Sequence, residues 1–226
     1  MLGIVCAMES EAKPVLDLMT DITKEEFAKK QFYVGNLLGR KAVLCVSGIG
    51  KVNSSFGTTL CVQKFGARVI ANFGVVGAID NSLKVGDIVV GTSAMQYDFD
   101  LSAPNGIDRG QLPGFDSKHL PLTQKYVDEL KKLGYKTGRI ATIDAFKYNY
   151  DNLVFCRECD LAVEDMEMGA IAQVCDFLGV EILSLKCVSN MVDSDGADEF
   201  NEMEHSAIDS YAQKIKQVIE VVYGKN

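Results

Sequence analysis

Four short stretches carry side chains whose types and spacing could do chemistry. Glu9 and Glu11 directly follow the first apolar run. In an open α/β sheet, ligands sit at the carboxyl ends of strands. A carboxylate there faces either a site or, in the plainer reading, the positive end of its own helix. Ser47-Gly48-Ile49-Gly50-Lys51 leads from an apolar run into an amphipathic one, with glycines that free backbone N–H groups at a helix start. It lacks the spacing of the P-loop and of the dinucleotide fingerprint, and a tight strand–helix turn explains its glycines equally well. Glu164-Asp165-Met166-Glu167 places three carboxylates in four residues between apolar flanks, Leu161-Ala162 and Ala170-Ile171. Such flanks predict at least one acid near the interior, where it needs a partner such as a ligand hydroxyl. Lys186, Ser189 and Asn190 close another apolar run, with Asp193 and Asp195 after them. They read either as a strand-end site or as an ordinary turn. A calcium loop fails on spacing and on the missing terminal Glu.

The elements that must position these groups alternate along the chain. Apolar runs predict strands over 2–7, 32–38, 41–47, 68–73, 87–90, 138–142 and 181–188. Gly74 ends the fourth of these, and Gly86 and Gly91 frame the fifth. Continuous apolar runs suit strands covered on both faces. Amphipathic spacing predicts helices over 9–19, 51–65, 166–178 and 206–222, the last with Ile208, Tyr211, Ile215, Val218 and Val222 on one face. Residues 102–122 hold Pro104, Pro113 and Pro121 and show no period. So long a connection is functional or packs on a partner.

Composition narrows the class. With 226 residues, 47% hydrophobic and 24% charged, the chain can bury a core and is not disordered. One domain spanning 1–226 is expected, α/β or a compact all-β alternative. A net charge of −8 argues against binding nucleic-acid backbones or anionic membranes. The expectation is a soluble, cytoplasmic protein, since no apolar run is long enough to span a membrane and Glu9 arrives too early for a signal peptide. The seven cysteines sit mostly among Val, Leu and Ile and read as small buried hydrophobes. Cys156-Arg157-Glu158-Cys159 is a single CxxC, and His119 and His205 are the only histidines. No metal site is expected, and coincidence outweighs a redox role for the pair.

The stretches Ala7-Met8-Glu9-Ser10-Glu11, Ser47-Gly48-Ile49-Gly50-Lys51-Val52, Lys84-Val85-Gly86-Asp87-Ile88-Val89-Val90, Gly110-Gln111-Leu112-Pro113-Gly114, Asp144-Ala145-Phe146 and Asp165-Met166-Glu167-Met168-Gly169-Ala170-Ile171-Ala172 occur in that order. Together they resemble the methylthioadenosine/S-adenosylhomocysteine nucleosidases of the purine nucleoside phosphorylase superfamily, over essentially the whole chain. The resemblance implies a single three-layer α/β domain with a mixed central sheet forming a distorted barrel. It implies a homodimer with sites near the interface, a small purine nucleoside as partner, and cleavage of its base–ribose bond with no metal or organic cofactor.

Carried over position by position, the resemblance makes Glu11 the acid that activates water. Glu167 becomes the carboxylate for the ribose hydroxyls, Met166 a methionine against the sugar, and Phe146 the aromatic on the purine. Lys147 takes the position whose backbone meets the base edge. Met8 and Ile49 line the pocket for the 5′ substituent, and Pro113 approaches from the partner subunit. A carboxylate suits both tasks: it stabilises an oxocarbenium-like sugar while taking a proton from water, and it accepts two hydroxyls at once.

Three positions depart from the family. Asn190 stands where the family has the aspartate that protonates N7 of adenine; an amide donates a hydrogen bond but delivers no proton. Lys186 replaces an arginine, keeping the charge and losing the fork. Val75 replaces a serine and removes a polar contact. Asparagine there is similar to phosphorylases acting on 6-oxopurines, whose N7 and O6 one amide can serve, while a flipped amide could still suit adenine. Related phosphorylases place an arginine where this chain has Asn72, and none of its five arginines falls on a matching phosphate position. Hydrolysis is therefore the expected reaction. A phosphate-dependent phosphorylase and a nucleoside-binding pseudoenzyme stand as the alternatives.

Overall fold

The computed structural model describes residues 1–146, 149–192 and 196–224. Its centre is β1 (Leu2–Cys6), buried at every residue and parallel to β4 (Arg40–Val46) on one side and β5 (Val69–Ala78) on the other. Beyond β4 the sheet continues antiparallel through β3 (Lys30–Leu37) to β2 (Met19–Phe27). On the other side, β5 pairs with both β10 (Glu181–Met191) and β9 (Leu161–Asp165). From β10 the hydrogen bonding runs antiparallel to β6 (Ile88–Gln96), then parallel through β8 (Lys136–Thr142) to β9. β5, β10, β6, β8 and β9 thus close a five-stranded barrel, with β1 to β4 as an open wing. The two-residue β7 (Leu120–Pro121) adds to β6.

Helices cover both faces and make three layers. On one side, α1 (Glu9–Leu16), α4 (Gln124–Lys132) and α7 (Gly196–Tyr223) share a core with Phe73, Leu183 and Leu185. On the other, α2 (Lys51–Gln63) and α6 (Met168–Leu178) pack over Ile70, Ile140 and Ile182. The short α3 (Ser102–Asn105) and α5 (Tyr150–Glu158) flank the barrel. Among the described residues, no helix is long and apolar enough to cross a membrane. The seven cysteines are buried and unpaired by disulfides. Cys156 lies in α5 and Cys159 caps it, and burial pushes the Cys156 thiol up to about 12, so the pair is poorly suited to redox work.

The structure corrects several expected boundaries. β5 continues through Gly74, β6 through Gly91, and β10 runs on to Met191. The glycines read as strand ends are places where the barrel wall has no room. A Cβ on Gly91 would lie 2.6 Å from Ile140 Cδ1. The helix expected over 9–19 stops at Leu16, and Met19 opens β2, a strand with almost no buried residues and hence no apolar alternation to read. α6 begins at Met168 rather than at 166, because the Asp165 carboxylate takes the Met168 N–H at its start. α7 begins ten residues before the expected 206, at Gly196. The segment over 102–122 contains α3 and β7.

Candidate active site

All four chemically promising stretches converge at the carboxyl ends of the central strands. Glu11 sits in the first turn of α1, with its side chain turned back under the end of β1 and only 4% exposed. Its Oε2 accepts the N–H groups of Ala7 and Met8 at 2.9 and 3.1 Å, and its Oε1 accepts the Val75 N–H at 3.0 Å. Three backbone donors therefore fix the carboxylate in one orientation. Gly74 makes the approach possible, since a Cβ there would stand 2.5 Å from Oε1. From behind, the Tyr211 hydroxyl of α7 donates to the Glu11 carbonyl at 2.6 Å.

Glu167 lies between β9 and α6, and its Oε1 accepts the Gly50 N–H at 2.9 Å. The freed N–H of the Ser47–Lys51 turn thus meets a carboxylate of the protein itself. Gly50 holds φ at 98°, a left-handed conformation that side-chain-bearing residues rarely adopt, and a Cβ there would crowd Asp144 Oδ1 at 3.1 Å. The next N–H, of Lys51, donates to that same oxygen at 2.9 Å. The Lys51 ammonium reaches Asp98 at 2.7 Å. Asp98 in turn accepts the Asp144 N–H at 3.2 Å, which ties the α2 start to the segment carrying Phe146.

Lys186, on β10 inside the barrel, pairs with Asp165 Oδ2 at 2.8 Å. Asp165 is further held by the Thr142 hydroxyl at 2.7 Å, and Thr142 accepts the Gly169 N–H at 2.8 Å. Burial works against the ammonium, but Asp165, Glu167 and Glu11 outweigh it, and the Lys186 pKa lies above the ordinary lysine value. The site therefore carries a fixed positive charge among carboxylates. Burial likewise raises the Glu11 pKa, opposed by Lys186 and by the three backbone donors. Glu167 is pushed up to about 7 by burial and the nearby Asp165, with Lys186 and the Gly50 N–H pulling the other way. A carboxylate so raised is a better proton acceptor near neutrality than a free one.

Asn190 follows on β10, 4% exposed, beside Ser189. Ser189 donates to Asn190 Oδ1 at 2.9 Å, and Asn190 Nδ2 donates to the Met191 carbonyl at 3.2 Å. Of the other expected site residues, Met8 and Val75 lend backbone N–H groups to Glu11. Met166 is half-buried beside Glu167, Ile49 is 51% exposed on the glycine turn, and Phe146 is 54% exposed beyond β8. Pro113 is exposed on the connection between α3 and β7. Lys147 and Asp193 lie outside the described residues.

Sequence reasoning passed over Asp165, Thr142, Tyr211 and the Lys51–Asp98–Asp144 tie. All act through partners distant in sequence, and only Asp165, in the acid-rich stretch, carried a signal. Among the described residues, no cluster of three His, Cys, Asp or Glu side chains could hold a metal ion.

The family model described as the phosphorylase superfamily matches residues 1–222. The 5′-methylthioadenosine/S-adenosylhomocysteine nucleosidase of Staphylococcus haemolyticus is 33% identical, over 98% of this chain and 100% of its own. Among solved structures, the futalosine hydrolase of Helicobacter pylori superposes with a TM-score of 0.91 at 26% identity, covering 97% of both chains. The Neisseria meningitidis methylthioadenosine/S-adenosylhomocysteine nucleosidase, in complex with methylthio-immucillin-A, gives a TM-score of 0.91 at 27% identity. That match covers 97% of this chain and 98% of the other.

Proposed function

The chain belongs to the phosphorylase superfamily and, within it, to the methylthioadenosine/S-adenosylhomocysteine nucleosidases, and on that premise we propose how its residues hydrolyse the base–ribose bond of a purine nucleoside. The observation that carries this reading is the Glu11 carboxylate, held by three backbone N–H groups in a buried site beside a cationic lysine. Water attacks C1′ of the ribose while the bond from C1′ to N9 breaks. The bonding pair leaves with the base, and Glu11 takes the proton that the water loses. As positive charge grows on the sugar, the carboxylates of Glu11 and Glu167 stabilise it. Glu167 accepts the 2′ and 3′ hydroxyls, Met166 packs on the sugar, and Phe146 stacks on the purine. Met8 and Ile49 border the 5′ substituent.

Lys186 has a positioning role in this scheme. Locked to Asp165, it offsets the mutual repulsion of Glu11 and Glu167 and lets both stay ionised when a nucleoside is bound. Asn190 meets N7 with an amide, so the departing base is hydrogen-bonded rather than protonated. Losing a general acid slows an enzyme by roughly 10²–10⁴-fold unless the leaving group needs less help. Water rather than phosphate is favoured because the Asn72 amide is engaged with the Val5 carbonyl at 3.0 Å, where related phosphorylases hold an arginine.

The protein acts as a homodimer in this proposal, in the cytoplasm. Support for the dimer comes from the packed helices α2 and α6, which expose Val52 (80%), Phe56 (42%) and Phe177 (67%) on one side of the molecule. A second copy covering that face would bring Pro113 toward its partner's site. Sedimentation of the purified protein tests this: a monomer at micromolar concentration would refute it. For the reaction, chromatography of a purine nucleoside incubated in phosphate-free buffer should reveal free base and free sugar. Base released only when phosphate is added would replace the hydrolase by a phosphorylase.

A further inference from the structure

A buried carboxyl beside Asn190 takes no part in the mechanism above. Strands β9, β5 and β10 lie side by side, and Glu164, Gly77 and Asn190 are in register across them. Residues in register share a face of the sheet, and the missing side chain at Gly77 leaves that face open between the other two. The glycine and Glu164 are both half-buried there, while Asn190 is 4% exposed. A Cβ on Gly77 would lie 3.3 Å from the Asn190 amide nitrogen, so the hollow begins at the amide. It ends at Glu164, two strand spacings or about 10 Å away across the sheet. Tyr97, 2% exposed just beyond β6, donates its hydroxyl to Glu164 Oε2 at 2.5 Å. The tyrosine is fixed in turn: its carbonyl takes Arg109 Nε at 2.7 Å, and the guanidinium stands over its ring at 5.5 Å. Glu164 Oε1 has no hydrogen-bond partner among the described residues.

Asn190 leaves N7 unprotonated, so a proton for the departing base has to enter elsewhere. With N7 at the amide, the six-membered ring extends over Gly77 toward Glu164, and on that edge a 6-aminopurine carries a ring acceptor, N1. We propose that Glu164 is the proton donor to the departing base, acting at N1 across the ring from Asn190. As the bond from C1′ to N9 breaks, its electron pair passes into the ring system. The N1 lone pair takes the hydrogen from Oε1, and the O–H pair stays on Glu164 as a carboxylate. The base leaves neutral, Glu11 holds the proton from water, and exchange with solvent restores both carboxyl groups. Tyr97 is a positioning residue: with Oε2 taken by the phenol, the acidic hydrogen sits on Oε1, the oxygen without a partner. Burial pushes the Glu164 carboxyl up to about 7, with the Tyr97 hydrogen bond pulling against it and Asp165 and Asp98 adding to it. The groups around it are thus Tyr97 and Asp98 beyond β6, Asp165 on β9 and Cys156 on α5. Burial raises Tyr97 and Cys156 as well, so both are uncharged near neutrality. A carboxyl that titrates near the working pH is suited to giving up a proton there.

The inference rests on the nucleosidase reading, and the tests keep the two apart. Base release from 5′-methylthioadenosine and adenosine is followed in phosphate-free buffer between about pH 5 and pH 9. Loss of the acid form should lower kcat about tenfold for each pH unit above about 7. Glu11 and Glu167 act ionised and limit only the acidic side. Glu164→Gln keeps the bond from Tyr97 and offers N1 an N–H, but has no proton to transfer. It should lower kcat on the order of 10²-fold, leave KM nearly unchanged and abolish the alkaline limb. Tyr97→Phe removes a bond that lowers the Glu164 pKa, so the limb should move to higher pH. A purely structural role for the pair would not move it. 1-Deazaadenosine, with carbon in place of N1, should be cleaved more slowly than adenosine by the natural protein and no more slowly still by Glu164→Gln. The Tyr97→Phe shift and the natural protein's response to 1-deazaadenosine stand whether or not Glu164→Gln folds. Undiminished kcat in Glu164→Gln, an alkaline limb that ignores Tyr97→Phe, or equal use of adenosine and 1-deazaadenosine would overturn the inference while leaving the nucleosidase intact. No base from any of the substrates would sink both readings together.

Discussion

The Lys186 ammonium lies 2.8 Å from Asp165 Oδ2, with the two side chains 2% and 1% exposed, inside the barrel and next to the carboxylates proposed to do the chemistry. A charge pair so enclosed has no water to fall back on if one member is lost. Asp165→Asn should therefore destabilise the protein by about 1.5–3 kcal/mol, the worth of a hydrogen bond to a charged group, because Glu167 and Glu11 still face the ammonium. Urea denaturation measures it. A loss below about 1 kcal/mol, the range of exposed pairs, would mean that the pair is solvated in solution.

Gly74 sets how closely β5 can pass Glu11. In Gly74→Ala the new methyl would stand 2.5 Å from Oε1, and the carboxylate would have to leave the Val75 N–H. Turnover should fall roughly 10²-fold, as for other displacements of about 1 Å in a reacting group. The thermal midpoint should move little in comparison. Full activity in that variant would show that the position of Glu11 does not matter.

Glu167→Gln keeps the shape of the side chain and removes its charge. If Glu167 holds the ribose hydroxyls, nucleoside binding should weaken by roughly 1.5–3 kcal/mol, the worth of a charge-assisted hydrogen bond. Titration calorimetry with a non-cleaved nucleoside analogue gives the number. Unchanged affinity would assign the sugar to another residue.

Two buried carboxyls, Glu164 and Glu167, are each pushed up to about 7, in both cases by burial first. Between their unfolded values near pH 4.5 and about pH 7, the folded protein binds more protons than the unfolded chain. Their contribution is complete below that window and is lost as pH rises through 7. Stability should accordingly decline from pH 5 to pH 8, by at most about 3 kcal/mol for each group. His119 opposes this weakly, its pKa lowered by burial. Denaturation midpoints across that range decide the matter, and a rise toward pH 8 would contradict these protonation states.

What could be read from the chain in advance was what depends on neighbours in sequence. Glu11, Gly50, Glu167 and Asn190 stand at strand ends, where apolar runs meet glycines and acids, and their positions announced a site. β2 was illegible because its residues face solvent on both sides and leave no period. Gly74 and Gly91 misled for a physical reason: glycine marks both a turn and a wall too crowded for a side chain. The pairings that organise the site were beyond reach from sequence alone. Asp165 finds Lys186 across the barrel, Tyr211 reaches Glu11 across 200 residues, and Asp144 reaches Lys51 across 93.

The central claim is that water, activated by Glu11, replaces the base at C1′. Its most direct test is turnover of a purine nucleoside in phosphate-free buffer made with ¹⁸O-water, followed by mass spectrometry of the released sugar. One ¹⁸O atom should appear at C1 of the ribose, and Glu11→Gln should abolish its appearance while the variant still binds the nucleoside. Sugar released only as the 1-phosphate, or label incorporated at an unchanged rate in Glu11→Gln, would contradict the account.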